Sequence, residues 1–253
     1  MRARWSSLPP GRLPRPADQV VSDELTAAAA AGRVWRVGFR PEPWAWSGWE
    51  WATDGRFPGR WDDLHGNFRT VYAGSSLLAC LLEVLAHFRK DSRLTQELDD
   101  IIEDDEDKVL HPTIAPGSVP KEWLDDRAAA SAELSGRYCA VTASKTIAAL
   151  HPRFIGLALS LGLDDFDTAA LKDARPRRLT QAVASWLYET TDFDGVTFGS
   201  RHGDDLQLWA VFERPEDPPV TPKIHDVELE ELQHDTPALL TAFGLLGLHW
   251  END

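Results

Sequence analysis

Residues 195–213, GVTFGSRHGDDLQLWAVFE, hold two strand-like runs around a short polar loop containing Gly203. That arrangement specifies a β-hairpin, so the fold must contain an antiparallel pair. Two earlier runs have the same character. In RVWRVGF, at 33–39, Trp35, Val37 and Phe39 share one face of a strand while Val34, Arg36 and Gly38 share the other. In FRTVYAG, at 68–74, Phe68, Thr70 and Tyr72 point to one side. A further strand is expected near 138–142.

Helical patterns separate these strands. Ser75 is positioned to cap SLLACLLEVLAHF, whose Leu77, Leu81, Val84, Leu85 and Phe88 form a wide apolar stripe. Ser22, followed by Asp23 and Glu24, an alanine-rich body and Gly32, predicts another helix. Helices are also expected over about 145–163, from Thr180 through TQAVASWLYETT, and in the closing PALLTAFGLLGLHW. The proline-rich, basic residues 1–21 read as a flexible arm, 22–213 as the main domain, and 214–253 as an extension docked on it. The run DDIIEDDED at 99–107 reads as a solvated connection, because EF-hand spacing and its glycine are missing.

The chain is acidic, with 26 Lys and Arg against 41 Asp and Glu and a formal charge of −15. A duplex nucleic-acid reader needs a concentrated basic face, and an anionic membrane surface would repel this protein. No apolar run is long enough for a membrane span, and MRARWSSLPPGRLPRP lacks the apolar core of a secretory signal. The two cysteines, Cys80 and Cys139, lie inside apolar runs and suggest buried thiols in a reducing compartment. A cytoplasmic protein is expected.

The common enzyme fingerprints are missing: GxGxxG after a strand, GxxxxGK[ST], HExxH and CxxC. Ser200 in FGSRHG lacks the glycine two residues before the serine that a nucleophile elbow requires. Glu83 is more informative, because a carboxylate inside LLEVL is costly unless it is paired or faces a cavity. It shares a helical stripe with Ser76, Ala79 and His87, so a structural bond to His87 or to an arginine is the plain alternative. Arg36, in an otherwise apolar strand, is either a buried ion-pair partner or an anion ligand. If Arg36, Arg56 and Glu83 face one cavity, it suits a nucleotide carrying a cationic leaving group. Tyr72 reads equally as core or as a stacking residue. The five tryptophans between Pro41 and Trp61 read as a packed lid or satellite core, with contact to a nucleotide ring as the alternative. Arg201 and His202 sit in a hairpin turn, where polar residues need no functional explanation. The remaining histidines lack ligand spacing, and no metal is assigned.

Taken together, VWRVGF, GRFPGRW, VYAGSSLLACLLEVLAHF and DGVTFGSRHGDDLQLWAVFE resemble the RES domain, named for its Arg, Glu and Ser. That resemblance implies an α+β fold with an ADP-ribosyltransferase-like mixed β-sheet core and surrounding helices. It also implies a toxin of a toxin-antitoxin pair that consumes NAD+ by hydrolysis or phosphorolysis of the nicotinamide bond, or that transfers ADP-ribose to a protein. By position, Glu83, Arg36 and Ser200 become the catalytic residues, and Arg56 and Tyr72 the substrate-binding ones. NAD+ is then the substrate, with no further cofactor, and the expected partner is an Xre-type helix-turn-helix antitoxin; homodimerisation stays open. A non-catalytic nucleotide-binding module and a structural partner protein are the competing classes.

Overall fold

The structure of the protein, a computed structural model, describes residues 24–29, 32–89, 117–173 and 175–251. The expected arm, the Ser22 cap and the acidic run at 99–107 lie outside the described residues. In chain order the strands are β1 (Ala27–Ala29), β2 (Arg33–Phe39), β3 (Thr70–Gly74), β4 (Ser118–Val119) and β5 (Arg127–Leu134). They continue with β6 (Arg137–Ala140), β7 (Gly195–Ser200), β8 (Gly203–Phe212), β9 (Ile224–Glu230) and β10 (His249–Trp250). The helices are α1 (Leu77–Leu85), α2 (Ser144–Ser160), α3 (Thr168–Lys172), α4 (Arg177–Thr190) and α5 (Pro237–Leu246).

Eight strands form one mixed sheet in the order β1-β6-β7-β8-β3-β2-β5-β9, in which only β6 and β7 run parallel. With helices packed on the sheet, the fold is α+β. Alternate residues of β8 enter two cores, as the pleat requires. Leu208 and Ala210 join the large core with Leu81 and Leu85 of α1, Phe154 of α2, Leu187 of α4 and Phe243 of α5. Trp209 and Val211 join a smaller core on the opposite face, with Val34, Val71 and Ala73.

The tryptophan segment divides between these environments. Trp44 and Trp46 fill the smaller core, Trp61 is buried in the larger one, and Trp49 and Trp51 are exposed. Trp44→Ala is therefore expected to cost about 3–5 kcal/mol through lost burial and a residual cavity. Equilibrium urea unfolding measures it, and a loss below 1 kcal/mol would show that the smaller core is not close-packed.

Two ladder features position the site. Strand β2 pairs with β5 along its whole length, from Arg33↔Glu133 to Phe39↔Arg127. On its other side a single pair, Trp35↔Gly74, joins it to β3, so the sheet forks there. The expected β7–β8 hairpin is present, with a register shift between Gly199 and Ser200 at its tip. Residues 204–206 of β8 have no partner opposite this step, so the ladder is broken beside Ser200.

Several expectations are corrected. Ala27–Ala29, expected in a helix, is an edge strand against β6, held by Ala140 N–H to Thr26 O at 2.9 Å and Thr26 N–H to Thr146 Oγ1 at 3.0 Å. Alanine's helix propensity is a weak preference that pairing overrides. The cap of α1 is Ser76, whose Oγ accepts from Ala79 N–H at 3.1 Å, while Ser75 Oγ accepts from Gln207 N–H and ties the turn to β8. Helix α4 begins at Arg177, with Thr180 inside it donating to Arg177 O at 3.0 Å. The acidic stretch after Pro222 contributes β9, the outer strand of the main sheet. Helix α5 forms within PALLTAFGLLGLHW as expected and packs on α1, and β10 then pairs with β4. Both cysteines are buried free thiols. Among the described residues no helix is long and apolar enough to cross a membrane.

Candidate active site

Arg36 occupies the fork between β2 and β3. Its Nε donates to Pro43 O at 2.6 Å and its Nη1 to Tyr72 O at 2.9 Å, so the side chain spans strands that the backbone joins only once. The chain can fold back this closely because residue 38 is glycine: a Cβ there would lie 2.4 Å from Pro43 O. Burial lowers the Arg36 pKa, opposed by the neighbouring Cys80, Tyr72 and Asp62. An arginine nevertheless keeps its proton.

Glu83 projects from α1 toward the hairpin tip. Ser200, almost fully buried, donates its hydroxyl to Glu83 Oε1 at 2.6 Å and accepts His202 N–H at 2.9 Å. The serine therefore fixes one carboxylate oxygen and leaves the other for a ligand. Neither alternative considered for Glu83, a bond to His87 or to an arginine, is its anchor; the hairpin supplies it.

Tyr72 is held through its hydroxyl, which donates to Asp62 Oδ1 and accepts from Trp61 N–H, both at 2.9 Å. Burial, with help from Asp62, pushes the Tyr72 phenol well above its usual range. Asp62 Oδ2 also accepts Gly59 N–H at 2.5 Å, and burial raises the pKa of this carboxyl. A Cβ on Gly59 would meet Asp62 Oδ2 at 2.4 Å and the Tyr72 hydroxyl at 2.5 Å, so the turn requires glycine. Helix α4 supports it from outside: Arg177 Nη1 donates to Pro58 O at 2.5 Å and Gln181 Nε2 to Gly59 O at 3.0 Å.

This turn decides which arginine of GRFPGRW reaches the site. Arg56 is exposed and locked in a small turn by reciprocal backbone bonds with Thr53. It does not line the cavity, contrary to expectation; Arg60 does. Arg60 Nη1 donates to Lys172 O at 2.7 Å, and its guanidinium lies 5.1 Å from the Phe198 ring centre. Burial lowers the Arg60 pKa, with Glu83 acting in the opposite direction.

The resulting cavity has a volume of about 490 Å³. Arg36, Arg60, Arg177 and Arg201 bring positive charge to its wall, and Glu83 is the acid among its lining residues. In a chain of net charge −15 this is a local inversion of sign, which favours an anionic ligand. Tyr72 also lines it, and Ser200 acts on it through Glu83. Among the described residues no tryptophan lines it. The Cys80 thiol in the wall donates to Trp35 O at 3.0 Å, and burial pushes its pKa up to about 12, so it stays protonated. Sequence reasoning missed Arg60, Asp62, Arg177, Arg201 and His202 as parts of the site or its frame. Of these, Arg60 had a signal, lying in the same motif as Arg56.

No curated protein matches the chain. The RES domain profile matches residues 33–232, which include every cavity residue named above. With most of its length covered, the chain belongs to the RES domain family.

Proposed function

We propose that the protein cleaves the nicotinamide–ribose bond of NAD+, as the toxin of a toxin-antitoxin pair. The observation that carries this reading is Glu83, fixed by Ser200 and facing a cavity whose other charged side chains are arginines. Departure of neutral nicotinamide develops an oxocarbenium ion on the ribose, and an anion held beside it stabilises the transition state more than the ground state. The carboxylate thus works like the second carboxylate of a glycosidase; a general acid is unnecessary because nicotinamide already leaves well. Arg36 and Arg60 clamp the diphosphate, the Tyr72 ring borders the nicotinamide end, and Ser200 keeps Glu83 aimed. The ADP-ribosyltransferase-like character of the fold and an Xre-type antitoxin as partner belong to the same proposal. A basic DNA-binding partner would be steered by the acidic surface.

Incubation of purified protein with NAD+ tests this, with nicotinamide and ADP-ribose products separated by chromatography. Nicotinamide release is expected, with free ADP-ribose or its phosphate naming the acceptor and label on a macromolecule indicating transfer to protein. Arg60→Ala is expected to raise KM for NAD+ by about tenfold or more, the value of one lost charge-assisted contact, while Arg56→Ala stays within about twofold. The reverse ranking would return the diphosphate to Arg56.

A further inference from the structure

The β7–β8 hairpin carries a second chemical group beside the serine that anchors Glu83. His202 is half-buried and lines the same cavity as Glu83. Its backbone N–H bonds Ser200 Oγ, which in turn bonds Glu83, so one short chain of contacts fixes the His202 backbone relative to the carboxylate. Arg201 Nε donates to His202 Nε2 across 3.4 Å, so the neutral ring carries its proton on Nδ1; the contact is long and exposed, and Arg201 must swing off Nε2 before that nitrogen takes a proton.

The reaction proposed above needs a proton acceptor. Nicotinamide leaves neutral and takes no proton, whereas an attacking water must lose one. Glu83 is poorly suited to receive it, because protonation would remove the charge that stabilises the ribosyl cation. We propose that His202 is the general base that takes this proton, an inference that rests on the NAD+-cleavage reading. As the water oxygen bonds C1′, the C1′–N electron pair passes to the pyridinium nitrogen and releases nicotinamide. The water proton moves to His202 Nε2 and from there to solvent.

The charged groups around the imidazole fit this task. Burial lowers the His202 pKa; Glu83 of α1 opposes this, while Arg201 of its own hairpin, Arg89 beyond α1 and Arg60 of the turn add to it. The imidazole is thus neutral at neutral pH and able to accept. Activity falls only as pH drops through a value below the ordinary histidine range.

His202→Gln tests the assignment cleanly, because the bond to Ser200 comes from the backbone and the Ser200–Glu83 contact survives the substitution. With an unchanged Tm, kcat in water is expected to fall about a hundredfold while KM for NAD+ stays within about threefold. The acid limb of the pH–kcat profile should disappear. Azide, a nucleophile with no proton to lose, should restore nicotinamide release in this variant and yield ADP-ribosyl azide. A variant with wild-type kcat and pH profile overturns the proposal, as does a loss that azide leaves unrestored. Either result, with an active wild type, leaves NAD+ cleavage standing; a wild type that releases no nicotinamide removes that reading and the base with it.

Discussion

Glu83→Gln is expected to fold normally and to release nicotinamide about 10³-fold more slowly than the wild type, the loss typical of a single preorganised electrostatic contact to a developing charge. The substitution isolates charge from shape. A glutamine oxygen can still accept the Ser200 hydroxyl that now reaches Glu83 Oε1 at 2.6 Å, so the hairpin tip and α1 stay joined. What disappears is the negative charge facing the ribose, and with it the preference for the transition state over bound NAD+. The signature is therefore a fall in kcat with KM little changed, read from initial rates of nicotinamide release. A Gln variant retaining more than a tenth of wild-type kcat would remove Glu83 from the chemistry.

Arg36→Met is expected to be damaging in two separable ways. The thioether approximates the aliphatic stem but donates nothing, so Pro43 O and Tyr72 O lose the donors that now lie 2.6 and 2.9 Å away. An unsatisfied buried carbonyl costs about 1–3 kcal/mol, which places the fall in unfolding free energy at roughly 2–6 kcal/mol. The diphosphate also loses a cation, raising KM for NAD+ by about ten- to a hundredfold. Arg36→Lys separates the two effects: it keeps the charge but lacks the planar fork that reaches two carbonyls and an anion together. Lysine should recover part of the affinity and little of the stability. Urea unfolding and NAD+ titration measure the pair, and a Met variant with wild-type affinity would show that Arg36 is architectural alone.

The parts of the fold legible in the sequence are those where one face is buried and the other is not. Alternation marked β2 and β3, the polar loop with Gly203 marked the β7–β8 hairpin, and the apolar stripe marked α1. Strand β5, RAAASAEL, was not legible because both of its faces are buried: Ala129 enters the larger core, and Ala130 and Ala132 the smaller. Small side chains on both faces leave no period to read. Strand β9 failed for the opposite reason, being exposed along almost all of its length and held by its pairing to β5. At the site, residue types were readable but their directions were not. Arg56 and Arg60 lie in one motif, and the choice between them rests on how Asp62, Tyr72 and helix α4 shape the turn at Gly59. His202 reads as ordinary loop polarity in the sequence, and only the packing of the hairpin tip places it at the wall of the cavity.

The fork between β2 and β3 has a mechanical consequence. Strands β2, β5 and β9 form one block of the sheet and β3, β8, β7, β6 and β1 the other, with a single backbone pair across the seam. Arg36 grows from the first block, while Glu83 stands on the helix that directly follows β3 of the second. If NAD+ is gripped at both ends as proposed, it acts as a strut across the seam, loaded along its own length whenever the blocks move apart. Amide hydrogen exchange along β2 and β3 is then expected to slow in step when the cavity fills, although most of those amides lie away from it.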